Sequence, residues 1–308
     1  MDRFLEQSDL TALTERDPVA VVRGYTDPED QEVAGLLVAA LAYGRARLIQ
    51  TRTRAALEPL SPSPARAIAA PGGPACLSGF VYRFQRGEDL PRFLTAIARV
   101  RGRHGSLAAA FARELDPRDA DYGPAMDRWI SGLRRAVDGP LSPGLAFLLP
   151  RVGASGAAKR LCLYLRWMVR PAGPVDLGAW QRLSPVPLEP AKLIIPLDTH
   201  IERIGRYIGL TERKSGGLTT AREITERLRA LRPEDPLAYD LALCHLGISG
   251  RCPRRRDPVQ CQGCPIRGIC RLGPEPAGWA PGKRSAQRSK RAETIADRKV
   301  APRRQARE

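Results

Sequence analysis

Residues Gln31–Tyr43, QEVAGLLVAALAY, are apolar on nearly every side. A helix with no polar face belongs in the middle of a fold and not at its rim. Its apolar run, from Val33, is too short to cross a bilayer. The flanking chain keeps the helical period. Arg45–Leu57 is basic on one face, and Arg92–Val100, Ser106–Leu115 and Pro124–Val137 read as three amphipathic helices. Asp198–Leu210 is a further helix, with Asp198 as N-cap and Ile201, Ile204 and Ile208 along one face. Leu218–Leu231 and Pro236–Leu246 follow it. Pro59–Pro74 and Pro171–Pro190 are Pro-rich breaks. Phe80–Phe84 is the one strand-like stretch, and it has no partner. The expectation is an all-α fold.

The 308-residue chain carries 50 Lys and Arg against 33 Asp and Glu, a net charge of +17. Such a balance favours a polyanion as partner, although an Arg-rich codon bias would give part of it. Residues 281–308 hold ten basic residues and little to bury, and read as a disordered basic tail. The start, MDRFLEQSDL, has no apolar leader and reads as cytoplasmic.

Four cysteines follow the last helix in RCPRRRDPVQCQGCPIRGICRL: Cys252, Cys261, Cys264 and Cys270, spaced C-x8-C-x2-C-x5-C. This Pro-, Gly- and Arg-rich segment offers little core for unpaired thiols, and disulfides would need an oxidising compartment. Four-cysteine zinc sites usually present two close pairs, and this run has one. An iron–sulfur cluster tolerates uneven spacing and is the preferred reading, with zinc as its competitor.

Lys159 follows a Gly-containing turn, Gly153–Gly156, on a helix expected to begin near Ser155. Backbone N–H groups at such a turn suit an anion such as phosphate. A lysine there, among Ala157, Ala158, Leu161 and Cys162, could have a lowered pKa and act as a nucleophile; the plainer reading is a surface lysine. Asp198 is a helix cap that becomes functional if it faces a cleft. His200, on the first turn, reads as a local hydrogen-bond partner.

In this order, the turn and helix of Lys159, then Leu197-Asp198-Thr199-His200, then the cysteines, the chain resembles the helix–hairpin–helix DNA glycosylases that carry an iron–sulfur cluster, the endonuclease III-like enzymes. Leu149-Pro150-Arg151-Val152-Gly153 stands for their LPGVG-type hairpin, and the LDTH stretch matches their essential Asp motif. Three features depart from that pattern. The hairpin is three residues longer (Ala154–Gly156), and the Lys159–Asp198 gap of 39 residues is about twenty longer than theirs. Arg45 stands where they use a glutamine to fill the gap in the base stack. More closely, KRL…LRWMVR and PLDTHI…RIGRYIGLT resemble a bacterial family, the domain of unknown function 2400.

The resemblance implies a two-lobed fold: residues 28–165 as a helical barrel, and 1–27 with 166–271 as a second lobe bearing a [4Fe–4S] cluster loop. Residues 272–308 would be the tail. It implies a monomeric, cytoplasmic, nucleoid-associated repair enzyme acting on double-stranded DNA with a damaged base, and no membrane partner. Lys159 and Asp198 would be catalytic. Arg45, Arg47, Gly153, Gly156, Arg254, Arg255 and Arg256 would contact DNA, and Cys252, Cys261, Cys264 and Cys270 would bind the metal. A DNA-structure or lesion-binding protein without chemistry is the alternative.

Overall fold

The computed structural model describes residues 1–153 and 156–272. Among them every regular element is a helix, and Tyr82 and Gln85 form only an isolated bridge. None of these helices is long and apolar enough to cross a membrane. From residue 273 on, the expected basic tail lies outside the described residues, as do Ala154 and Ser155 of the extended hairpin.

The helix Pro28–Ala40 is the centre. Asp27 caps it by accepting from Glu29 N, Pro28 opens it, and every residue from Asp30 to Ala40 is buried. The helix Lys159–Val169, buried from Leu161 onward, lies along it. Gly35 permits the approach: a Cβ there would stand 2.8 Å from Met168 Cε and 3.3 Å from Tyr164 Cε2. Val19–Val22, Pro64–Ala69 and Trp180–Leu183 pack around the same central helix.

Glu32, fully buried on the central helix, gathers four donors. Arg101 Nε reaches it at 2.9 Å, Leu107 N at 3.0 Å, Ala108 N at 3.2 Å and Trp180 Nε1 at 3.2 Å. A buried charge survives only when paired and hydrogen-bonded in this way. The carboxylate therefore pins the N-terminus of the helix Leu107–Ala112 and the Trp180 turn to the core. Phe111, Trp129, Tyr164 and Trp180 pack ring against ring beside it, with centroids 5.2–6.0 Å apart.

Two elements differ from the sequence reading, and a third, loop-rich as expected, is firmly anchored. Pro59–Pro74 contains the helix Pro64–Ala69, because Ser63 caps it and Pro64 occupies its first turn. Pro171–Pro190 is anchored in the core by the fully buried Trp180 and the buried Asp176. The helix of Lys159 begins at Lys159 itself and not near Ser155. Ala158 before it sits at φ 49°, ψ 30°, a left-handed residue that ends the helix on that side.

A buried ion network ties this helix to Asp240–Ile248. Arg166, 2% exposed, donates from Nε to Asp176 at 3.0 Å and from its terminal nitrogen to Asp240. Arg170 pairs with Asp176 and, at 2.7 Å, with Asp235. Breaking such a pair strands its partners without water. Arg166→Ala is therefore expected to destabilise the protein by about 3–5 kcal/mol, read from urea unfolding. A loss below about 1 kcal/mol would mean that solvent already shares these charges.

Candidate active site

Asp198 stands at the N-cap of the helix Thr199–Tyr207, and its two oxygens have separate tasks. Oδ1 accepts from His200 N and Ile201 N, both at 2.8 Å, which satisfies two of the free N–H groups of the first turn. Oδ2 meets Lys159 Nζ at 3.2 Å and Cys244 Sγ at 3.3 Å. The fold thus brings together a lysine and an aspartate 39 residues apart, as required if they work as a pair. Lys192, the nearest lysine to Asp198 in sequence, lies instead 3.9 Å from Glu189.

Lys159 keeps 39% of its side-chain surface exposed, whereas Asp198 keeps 12%. The lysine side chain is partly exposed and the carboxylate is mostly enclosed. Burial opposes ionisation of Asp198. The Lys159 ammonium, the Ile201 amide and the Cys244 thiol outweigh it and hold the carboxyl below its ordinary value. For Lys159 burial works downward, but the charge and hydrogen bond of Asp198, with Cys244 and Asp240 behind them, together outweigh it and the pKa is raised. The expectation of a lowered lysine pKa is thereby corrected: the charge partner that overrides burial comes from a distant part of the chain. Resting Lys159 is an ammonium. His200 does not reach Asp198 with its ring, which lies against the bare Cα of Gly247, where a Cβ would come within 2.6 Å of it.

The approach to Lys159 is turn-rich. Gly153 and Gly156 both have positive φ, 83° and 77°, a region that glycine enters freely. Val152 N donates to Asp127 at 3.0 Å and fixes the start of the turn. The next residue after the lysine, Arg160, donates to Ala40 O and Phe147 O, and its guanidinium lies 4.0 Å from the Phe147 ring centroid.

That contact leads to an aromatic group which the sequence reading did not assemble. Tyr43, Tyr82, Phe84 and Phe147 form linked ring contacts, and Phe84 is 57% exposed. The turn that carries it includes Arg83 at φ 54°, with Ala158 one of two non-glycine residues at positive φ among the described residues. Exposed Arg45 and Arg47 open the neighbouring helix Ala46–Leu57. The two turns touch, since a Cβ on Gly44 would come within 3.0 Å of Arg83 and 3.3 Å of Tyr82. The signal available in sequence was the aromatic spacing of Phe80–Phe84, read as a lone strand.

The cysteine loop hangs on the other end of the aspartate helix. Arg203 donates to Cys252 O at 3.0 Å, Tyr207 OH to Arg254 O at 2.6 Å, and Arg271 N to Tyr207 O at 2.6 Å. Arg254 and Arg255 are exposed and Arg256 is half-buried. Burial raises the Cys252 thiol, Arg203 pulls it down, and Cys264 and Cys270 push it up again. Cys264 is raised by burial and by Cys261 and Cys270. Cys264 therefore lies within electrostatic reach of each of the other three. Among the described residues, however, no group of three or more His, Cys, Asp or Glu side chains is close-set enough to hold a metal ion as it stands. The donor chemistry, four thiols with a guanidinium beside one of them, fits a soft metal centre.

Residues 17–249 match the model of a family described as "Protein of unknown function (DUF2400)", and the chain belongs to that family. The match includes Lys159, Asp198 and Cys244 and ends before Cys252. No curated protein and no solved structure matches the chain.

The ion pair sets a direction for titration. Asp198→Asn removes the largest of the charges that oppose burial at Lys159, so Lys159 should titrate at lower pH than in the parent protein. Carbon-13 NMR of the reductively methylated lysines reads this, with Lys159 assigned by substitution. An unmoved Lys159 midpoint would show that the pair does not form in solution.

Proposed function

We propose that this member of the DUF2400 family is a DNA base-excision glycosylase with AP-lyase activity, built on the two-lobed helix–hairpin–helix glycosylase fold. In that arrangement residues 28–165 form one lobe and 1–27 with 166–271 the other. The observation that carries the reading is the 3.2 Å contact between Lys159 Nζ and Asp198 Oδ2, with the lysine side chain only partly buried. Support also comes from the net charge of +17 and from the exposed Phe84 ring in the turn that carries Arg83. Aromatic and guanidinium planes of this kind stack on unpaired bases.

The target nucleotide would be turned out of the duplex toward Lys159. As the bond from C1′ to the base lengthens, positive charge grows on the sugar, and the ionised Asp198 stabilises it. A proton of the Lys159 ammonium passes to the departing base. The amine so freed forms a bond to C1′, and ring opening yields a Schiff base. β-Elimination then breaks the 3′ carbon–oxygen bond and nicks the strand, and water releases the lysine. Gly153 and Gly156 would offer backbone N–H groups to phosphate, and Arg45, Arg47 and Arg254–Arg256 would add positive charge. Cys252, Cys261, Cys264 and Cys270 would hold a [4Fe–4S] cluster, or zinc in its place, whose part is to fix the basic loop and not to carry electrons.

One observation favours a second reading. Lys159 is held protonated, and an ammonium is not a nucleophile until it loses a proton. A protein that binds distorted DNA without chemistry would use the same pair as a fixed charge arrangement.

Two tests separate these readings. Asp198→Asn should lower base release from lesion-bearing duplexes by about 10²–10⁴-fold while leaving duplex binding nearly intact. Lys159→Ala should abolish borohydride trapping of a protein–DNA adduct. Base release that persists in Lys159→Ala would assign a monofunctional enzyme that uses water, and no release from any lesion substrate would leave the binding protein. Separately, the purified protein should be brown and hold about four irons per chain. One zinc and no iron would replace the cluster.

A further inference from the structure

Cys244 lies in the middle of the helix Asp240–Ile248, half-buried, and the chemistry above leaves it unused. Its Sγ is 3.3 Å from the same Asp198 oxygen that meets Lys159 Nζ at 3.2 Å. Since Oδ1 is occupied by two backbone amides, Oδ2 is the oxygen left to face the lysine.

The other ionisable groups near Asp198 do not take that place. Asp240 and His245 project from the same helix as Cys244. Asp240 is committed to Arg166, and His245 acts on Asp198 only through space. His200, on the aspartate helix, gives Asp198 its backbone N–H and rests its ring on Gly247. Among the described residues, Lys159 and Cys244 are the two side chains hydrogen-bonded to Oδ2.

We propose that Cys244 is a positioning residue whose S–H holds Asp198 Oδ2 when Lys159 turns away to a substrate carbon. This rests on the reading of Lys159 as nucleophile. An ion-paired lysine can leave its carboxylate only if something else satisfies the oxygen, because a buried acceptor left bare carries its full desolvation penalty. A thiol suits the task because it is a weak donor and a far weaker acid than a carboxyl. It gives a hydrogen bond and keeps its proton, so Asp198 stays ionised throughout. Alanine cannot do this, whereas serine retains an O–H donor at the same position.

The test uses the full chain with Cys244→Ala and Cys244→Ser. The first readout is the carbon-13 titration of the Asp198 carboxyl, assigned through Asp198→Asn. Loss of a donor to the anion should raise the midpoint in Cys244→Ala by roughly 0.5–1 in pH, and Cys244→Ser should bring it back toward the parent. The second is borohydride trapping on a duplex with an abasic site. At neutral pH the trapping rate should fall about tenfold in Cys244→Ala, with the duplex dissociation constant unchanged, and recover in Cys244→Ser. An unmoved carboxyl midpoint overturns the proposal. A moved midpoint with no trapped adduct from any protein, the parent included, upholds the contact and overturns Lys159 as nucleophile. Should the alanine variant not fold, the infrared S–H band of Cys244 decides, identified by its loss in Cys244→Ser. It should differ between the parent and Asp198→Asn, and an identical band in both overturns the contact.

Discussion

Arg166 fixes the distance on which the candidate site depends. It is 2% exposed and bridges Asp176 and Asp240, so the helix Lys159–Val169 cannot slide against Asp240–Ile248 without stranding buried charge. Lys159 and Arg166 are seven residues apart, two helical turns, and share a face; Asp240 and Cys244 are four apart and share theirs. With Arg166 held at Asp240, the lysine end of one helix is brought to Cys244, one turn along the other. Asp198 sits between them and accepts from both. A hydrophobic pair in place of the ions would fill the same space with no comparable directionality.

Asp198 shows how a capping carboxylate keeps one oxygen for a second partner. The helix terminus needs one oxygen, and Oδ1 serves its two amides. The cap also orients the second oxygen, because a carboxylate fixed at one oxygen has little freedom left at the other. The helix dipole favours the ionised form, and the Lys159 ammonium favours it further. Asparagine would keep the cap through its carbonyl oxygen, yet it would turn an N–H₂ group toward an ammonium and a thiol, both of which are donors. The substitution removes charge and hydrogen-bond acceptance together and leaves the helix start intact.

The sequence carried the helices well where local signals define them. Gln31–Tyr43 has no polar face, and the observed helix Pro28–Ala40 is buried from Asp30 onward. Lys159 and Asp198 were legible from local punctuation, because one follows a glycine turn and the other is itself an N-cap. Their meeting was expected from resemblance and not from spacing. What stayed hidden depends on partners far away in sequence. The Lys159 pKa direction reverses because of a carboxylate 39 residues on. Cys244 looks like one more apolar residue in a buried helix. Trp180 gave no signal in a Pro-rich stretch because its burial is supplied by Glu32 and Phe111 from elsewhere. The Tyr43–Phe147 ring group draws on three segments, none of which is distinctive alone.

The same helix also joins the candidate site to the cysteine loop. Asp198 caps one end of Thr199–Tyr207, while Arg203 and Tyr207 hold the Cys252 and Arg254 carbonyls and Arg271 N returns to Tyr207 O. The helix is nine residues long, about 14 Å at 1.5 Å per residue, and it is packed through Ile201 and Ile204, which are buried. A short, well-packed helix moves as a rigid unit, so a shift at its loop end reaches Asp198 as a rotation or translation of the whole cap. Oδ2 lies within a hydrogen-bond length of two donors, and a displacement of about 1 Å would take both contacts out of hydrogen-bonding range. The loop and Asp198 are therefore joined through the two ends of one helix.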